Sequence, residues 1–174
     1  RMKYEELFFL ELHILKNIKA VSKKLRGHVF RHVGEYFNTF YSQHLPFPLT
    51  EAQKRVIKEI RADMGSGQQM NRLLQGDVGS GKTIVAFFTA LIALDNCYQA
   101  CLMAPTEILA RQHYEASSEM AAKIGVSVGL LTGSTRKRER EAIHAGLLDG
   151  SLQLLIGTHA LLEDVVQYRN LGLA

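Results

Sequence analysis

Apolar residues return every three or four positions between residues 4 and 20, at Leu7, Leu10, Ile14 and Ile18. That period of 3.6 predicts a helix. A second helical rhythm runs through Leu25, Val29, Val33, Phe37 and Phe40, with Gly27 and Gly34 weakening it. Leu45-Pro46-Phe47-Pro48 then breaks the pattern, because each proline disfavours a helical conformation in the residue before it. A boundary is expected at this break, with residues 1–45 as a helical arm and residues 46–174 as the main domain.

Beyond the break the period alternates. Residues 50–64 predict a helix with Val56, Ile57 and Ile60 on one face, ended by Met64-Gly65-Ser66-Gly67. Strands are expected at 72–75, 99–104, 126–131 and 152–156, and helices at 81–94, 106–123 and 135–148. Asp149-Gly150 marks a turn, a short helix is expected near 159–163, and a last strand begins at 171–174. Strands alternating with helices of ten or more residues predict βαβ units around a buried parallel sheet, the α/β class. Leu152-Gln153-Leu154-Leu155-Ile156 is apolar enough to be covered on both faces. There is no internal repeat and no low-complexity stretch.

Composition adds one asymmetry. The chain has 174 residues, 47% hydrophobic and 22% charged, enough for a real core. Its 21 Lys and Arg against 17 Asp and Glu give a formal +4. That excess sits in residues 1–44, and the rest is balanced. A basic arm suits a nucleic acid or an anionic surface, and equally a solvated helix face. Cys97 and Cys101 have no partners for a metal site and fit free thiols in a reducing compartment. No secretory signal and no membrane-length apolar run stand out, and the first residue is Arg1, so a cytoplasmic piece of a larger protein is expected.

The chemistry is concentrated in Gly76-Asp77-Val78-Gly79-Ser80-Gly81-Lys82-Thr83, a complete phosphate-binding P-loop. Its glycines let the backbone curl around phosphate oxygens, and the following helix adds the positive end of its dipole. Lys82 is placed to reach β- and γ-phosphates, and the Thr83 hydroxyl to ligate Mg²⁺. Gln53, some twenty residues earlier, has two readings. Its amide can pair with an adenine edge while Phe47 packs against the base, or it can close a capping box on Thr50. Three strand-to-helix turns, Pro105-Thr106, Thr132-Gly133-Ser134 and Thr158-His159, lie at carboxyl ends of strands, where open α/β sheets bind ligands. Together they suggest a track of backbone-phosphate contacts. Thr106 also reads as a plain N-cap. Arg136, Lys137, Arg138 and Arg140 add charge to that track or form a solvated face with Glu139 and Glu141. His28 and His32 lack the glutamate of a zinc-protease helix, and no serine-hydrolase or paired-carboxylate pattern is present.

In series, these segments resemble superfamily-two helicases of the RecG type. The P-loop with the preceding Leu73-Leu74-Gln75 resembles motif I, and Phe47-Pro48-Leu49-Thr50-Glu51-Ala52-Gln53 the adenine-reading Q motif. Ala104-Pro105-Thr106-Glu107-Ile108-Leu109-Ala110 with Gln112 and His113 resembles motif Ia, Leu131-Thr132-Gly133 motif Ib, and Ile156-Gly157-Thr158-His159-Ala160-Leu161 the next DNA-side motif. The opening residues of the arm resemble the helix joining the wedge domain to the first motor lobe.

The resemblance implies a RecA-like first lobe that binds ATP and Mg²⁺ and acts, as a monomer, on branched DNA such as forks and Holliday junctions. It implies cofactor contacts from Phe47, Gln53 and residues 76–83. DNA contacts are implied from Pro105, Thr106, Arg111, Thr132, Gly133, Thr158 and His159. The transcription-repair translocase Mfd has a similar motor lobe. A P-loop regulatory module, or an interaction fragment working through its basic arm, are further alternatives.

The family's Asp-Glu-x-His stretch, which holds Mg²⁺ through water and orients the attacking water, does not occur in these 174 residues. Neither does a second lobe with its arginine finger, whose loss alone costs on the order of 10³-fold or more. These residues alone are therefore expected neither to hydrolyse ATP at a useful rate nor to unwind DNA. ATP turnover by the chain that disappears in Lys82→Ala would refute this.

Overall fold

The computed structural model describes residues 2–22 and 26–174. Arg1, Lys23, Lys24 and Leu25 lie outside the described residues, as do the side chains of Ile18 and its neighbours in 17–22. The expected first helix is α1 (Met2–Ser22). Its apolar positions Leu7, Leu10 and Ile14, with Tyr4, Phe8 and Phe9, are all exposed.

The second helical rhythm is corrected. Residues 26–34 form no helix, and α2 begins only at Glu35 (Glu35–Thr39), running on into a π-turn, Phe40–His44. The backbone donors of this stretch go elsewhere. Gly27 N–H donates to Gly67 O at 3.0 Å and Phe30 N–H to Met64 O at 3.0 Å, while Arg26 pairs antiparallel with Gln68. Gly27 is needed there, since a Cβ would lie 2.5 Å from Gln68 O. The period of Val29, Val33 and Phe37 was therefore a coincidence of an extended segment meeting a short helix.

The main domain follows as α3 (Glu51–Met64), α4 (Lys82–Asp95), β1 (Gln99–Met103), α5 (Glu107–Ala122), β2 (Val128–Leu131), α6 (Lys137–Asp149), β3 (Leu154–Gly157), a 3-10 turn His159–Leu162 and β4 (Leu171–Leu173). The four strands lie in the order β2-β3-β1-β4, and every pairing is parallel. Alternating strand residues divide between two cores. Ala100, Leu154 and Ile156 face one that contains α3 and α4, and Leu155 faces another with Leu131, Leu147 and Leu161. All four residues of β3 are buried. The expected strand at 72–75 is the second correction. That segment pairs with no strand among the described residues, and Arg72 is instead held by Glu59 at 3.0 Å and by Asp63, both on α3.

Helix α4 is buried around most of its circumference, from Ile84 and Val85 through Phe87 to Leu94. Its sequence allows this because residues 84–94 carry no charge, and the Thr89 hydroxyl donates to Val85 O at 2.8 Å. Beyond that run comes Asp95. Its carboxylate accepts from the N–H groups of Gly34 (2.8 Å), Tyr36 (3.0 Å) and Phe37 (3.2 Å). Asp95 thus supplies the N-cap that Gly34, which precedes α2, cannot. A Cβ on Gly34 would sit 2.8 Å from Asp95 Oδ1. Asn96 adds a reciprocal pair, accepting from His32 N at 3.1 Å and donating to His32 O at 2.7 Å.

Replacing Asp95 by Ala leaves three donors without an acceptor and is expected to lower stability by about 2 kcal/mol in urea denaturation. The thiols are expected to differ as well. Burial pushes the Cys101 thiol up, whereas Cys97 is exposed. Alkylation of the native protein at pH 8 should label Cys97 and spare Cys101, as read by peptide mass mapping.

Candidate nucleotide site and strand-end surface

The loop before α4 has the expected tight form. Ser80 N–H donates to Asp77 O at 3.1 Å across a turn whose third residue, Gly79, has φ 81°. Gly81 caps α4 at φ 80°. Val78 at the tip is fully exposed, at 103%. The Lys82 ammonium donates to Gly76 O at 2.7 Å and Asp77 O at 2.8 Å, so its charge is held inside the curl of the loop. The N–H groups of Lys82 and Thr83 open α4 and have no helical acceptor. One cation, the first-turn amides and a hydroxyl make a set suited to a polyphosphate.

Of the two readings of Gln53, its geometry shows the cap. The capping box is complete, with Thr50 N–H donating to Gln53 Oε1 at 2.9 Å and Gln53 N–H to Thr50 Oγ1 at 3.2 Å. The same side chain then donates from Nε2 to Ser80 O at 2.9 Å. Gln53 is buried, and a Cβ on Gly81 would overlap its amide nitrogen. It is therefore a link between the start of α3 and the loop. Phe47 stands half-exposed before α3.

Helix α4 ends just before β1, so it runs back against the strands and its Lys82 end lies at their carboxyl edge. The three strand-end turns lie along that edge too. Pro105 and Thr106 are exposed after β1, and Thr106 Oγ1 accepts from Leu109 N at 3.3 Å, the plain N-cap. Thr132 after β2 is fully buried, its N–H donating to Thr135 Oγ1 at 2.8 Å, while Gly133 beside it is exposed. Thr158 after β3 is buried and His159 exposed. The hydroxyls of Thr106 and Thr135 shape the first two turns, and Gly133 and His159 are exposed beside the buried Thr132 and Thr158.

Charged side chains connect these turns. Arg111 donates to Glu107 Oε1 through Nε at 3.1 Å and Nη2 at 2.7 Å, and Nη2 also donates to Ser134 Oγ at 3.2 Å. Ser134 in turn donates to Glu107. The Ser134 hydroxyl and then the Arg111 guanidinium hold the Glu107 carboxyl below the usual carboxylate range. Arg140 leaves the solvated face. It pairs with Glu163 at 2.7 Å and donates to Thr132 O at 3.2 Å. The i,i+4 spacing of Glu107 and Arg111 was a local signal for the first contact. Nothing local signals Arg140 with Glu163, which are distant in sequence.

Among the described residues no group of three His, Cys, Asp or Glu side chains is arranged to hold a metal. A Mg²⁺ here would take the Thr83 hydroxyl, phosphate oxygens and water, which suits an ion that keeps much of its hydration.

The sequence profile of the DEAD/DEAH box helicases matches residues 50–173. The chain is 46% identical over 172 residues to the ATP-dependent DNA helicase RecG of Aquifex aeolicus, covering 99% of this chain and 22% of that protein. It is 44% identical to RecG of Bacillus subtilis, covering 25% of it. A structure of RecG bound to a three-way DNA junction superposes with a TM-score of 0.86 at 45% identity over 97% of this chain and 23% of that one. The chain thus spans about a quarter or less of the relatives it matches.

The two bonds of Gln53 can be separated. Gln53→Glu keeps an acceptor for Thr50 N–H but cannot donate to Ser80 O as a carboxylate. It is expected to preserve α3 while weakening binding of a fluorescent ATP analogue about tenfold at pH 8. Gln53→Ala should lose both, and the melting temperature with them.

Proposed function

The chain belongs to the DEAD/DEAH box helicase family, and on that premise we propose that it is the ATP-binding first motor lobe of a RecG-type DNA helicase acting on branched DNA, including forks and Holliday junctions. The observation that carries this reading is a single sheet edge that holds both the P-loop and a row of turns. The P-loop opens α4 there, and the turns at Pro105-Thr106, Thr132-Gly133 and Thr158-His159 follow along the same edge. A nucleotide switch needs the first but not the second.

In this reading residues 1–45 are an arm and residues 46–174 the lobe, in a cytoplasmic protein that works as a monomer. ATP is held by residues 76–83, with Lys82 on the β- and γ-phosphates and the adenine between Gln53 and Phe47. Lys82 must exchange its bonds to Gly76 O and Asp77 O for phosphate oxygens. Mg²⁺, bound through Thr83 and the nucleotide, would supply charge neutralisation at the transferring phosphoryl group. The strand backbone of DNA would lie along Pro105, Thr106, Arg111, Thr132, Gly133, Thr158 and His159. Backbone contacts of this kind carry no base information, which suits a translocase.

The test uses the intact polypeptide that carries these residues. Lys82→Ala is expected to lower DNA-stimulated ATP hydrolysis by on the order of 10²-fold or more while leaving the melting temperature near that of the unmodified protein. Gel shifts on a synthetic fork should show affinity falling steeply with salt. ATP hydrolysis indifferent to both Lys82 and DNA would overturn the reading.

A further inference from the structure

The three strand-end turns come from different parts of the chain, and a DNA backbone can use them together only if their spacing is fixed. Loops at a sheet edge have no reason of their own to keep a common register. The strands beneath supply part of it, since β2, β3 and β1 are paired to their last residues. The turns project beyond that pairing. There the structure places two brackets of charged side chains.

The first bracket ties the opening turn of α5 to the loop after β2. Glu107 receives Arg111 through two nitrogens at 3.1 and 2.7 Å, and Arg111 reaches across to Ser134 Oγ at 3.2 Å. The second ties that loop to the chain after β3. Arg140 donates to Thr132 O at 3.2 Å and to Glu163 Oε2 at 2.7 Å, with its side chain 23% exposed. Arg140 thus spends donors on both neighbours, one a backbone carbonyl within the turn itself. Each terminal nitrogen of its guanidinium is bonded to protein, which is the opposite of a cation kept free for a ligand.

We propose that Glu107, Arg140 and Glu163 are positioning residues that lock the three turns into one phosphate-contacting register, with Arg140 acting through Thr132 and not on DNA. This rests on the reading of the edge as a DNA track. It runs against simple electrostatics, because two of the three residues are carboxylates beside the path of a polyanion. If they were mere bystanders, removing them would strengthen binding.

The test is single-stranded DNA binding by the intact polypeptide across a salt series, for Glu163→Gln, Arg140→Gln and the double variant. The two single changes alter charge in opposite directions. Positioning predicts that each weakens binding roughly three- to tenfold, that the double variant loses no more than either single one, and that the slope of log affinity against log salt stays put. A direct phosphate role for Arg140 instead predicts that Arg140→Gln lowers that slope by about 0.7 and that Glu163→Gln tightens binding, and this result would overturn the proposal. Glu107→Gln is expected to behave as Glu163→Gln does. Glu163 is about half exposed, so its variant keeps the fold and decides the question even if Arg140→Gln melts early. If the unmodified polypeptide binds no DNA at all, the DNA-track reading fails and this proposal with it. If it binds and the carboxylate variants bind more tightly, the proposal alone fails.

Discussion

Everything in this lobe is referred to the burial of α4. A helix apolar on most sides has one stable place, beneath other elements, and here ten of its residues are buried. That fixes both ends at once. The amino end carries the loop of residues 76–83 to the carboxyl edge of the sheet. The carboxyl end brings Asp95 and Asn96 to the opposite edge, where they organise residues 32–37. Packing energy is non-directional, so it positions the helix as a body. The polar residues at the two ends then turn that placement into specific local structure.

The same division of labour recurs at the sheet edge. Apolar strand residues set the order and register of β1, β2 and β3. Small hydroxyl residues shape the turns by bonding to nearby backbone, as Thr106 and Thr135 do. Longer charged side chains connect one turn to the next. None of these ion pairs is deeply buried, and their contribution to stability is small. Their effect lies in geometry, since a bonded guanidinium has few orientations left.

Much of this was legible in the sequence because its signals were local. The P-loop, the capping box of Thr50 and Gln53, and the alternation of strands with helices from residue 99 onward each depend on residues close together in the chain. The two failures have a common cause. Val29, Val33 and Phe37 have helical spacing, but the donors of Gly27 and Phe30 go to Gly67 and Met64. Leu73 and Leu74 look like strand, but Arg72 is held by α3. In both cases a partner distant in sequence decided the outcome. The same limit hid Asp95 and the pair of Arg140 with Glu163. For Gln53 the cap on Thr50 was legible, whereas the bond from its amide nitrogen to Ser80 O, distant in sequence, was not.

That double use of Gln53 has an implication for how the sequence can vary. The space a side chain would need at position 81 is taken by the amide that braces the loop. Gly81 is therefore constrained twice, by its left-handed backbone and by its neighbour. Gln53 in turn cannot shorten without freeing Ser80 O. What position 81 can accept therefore depends on what stands at position 53, a coupling between residues far apart in the chain.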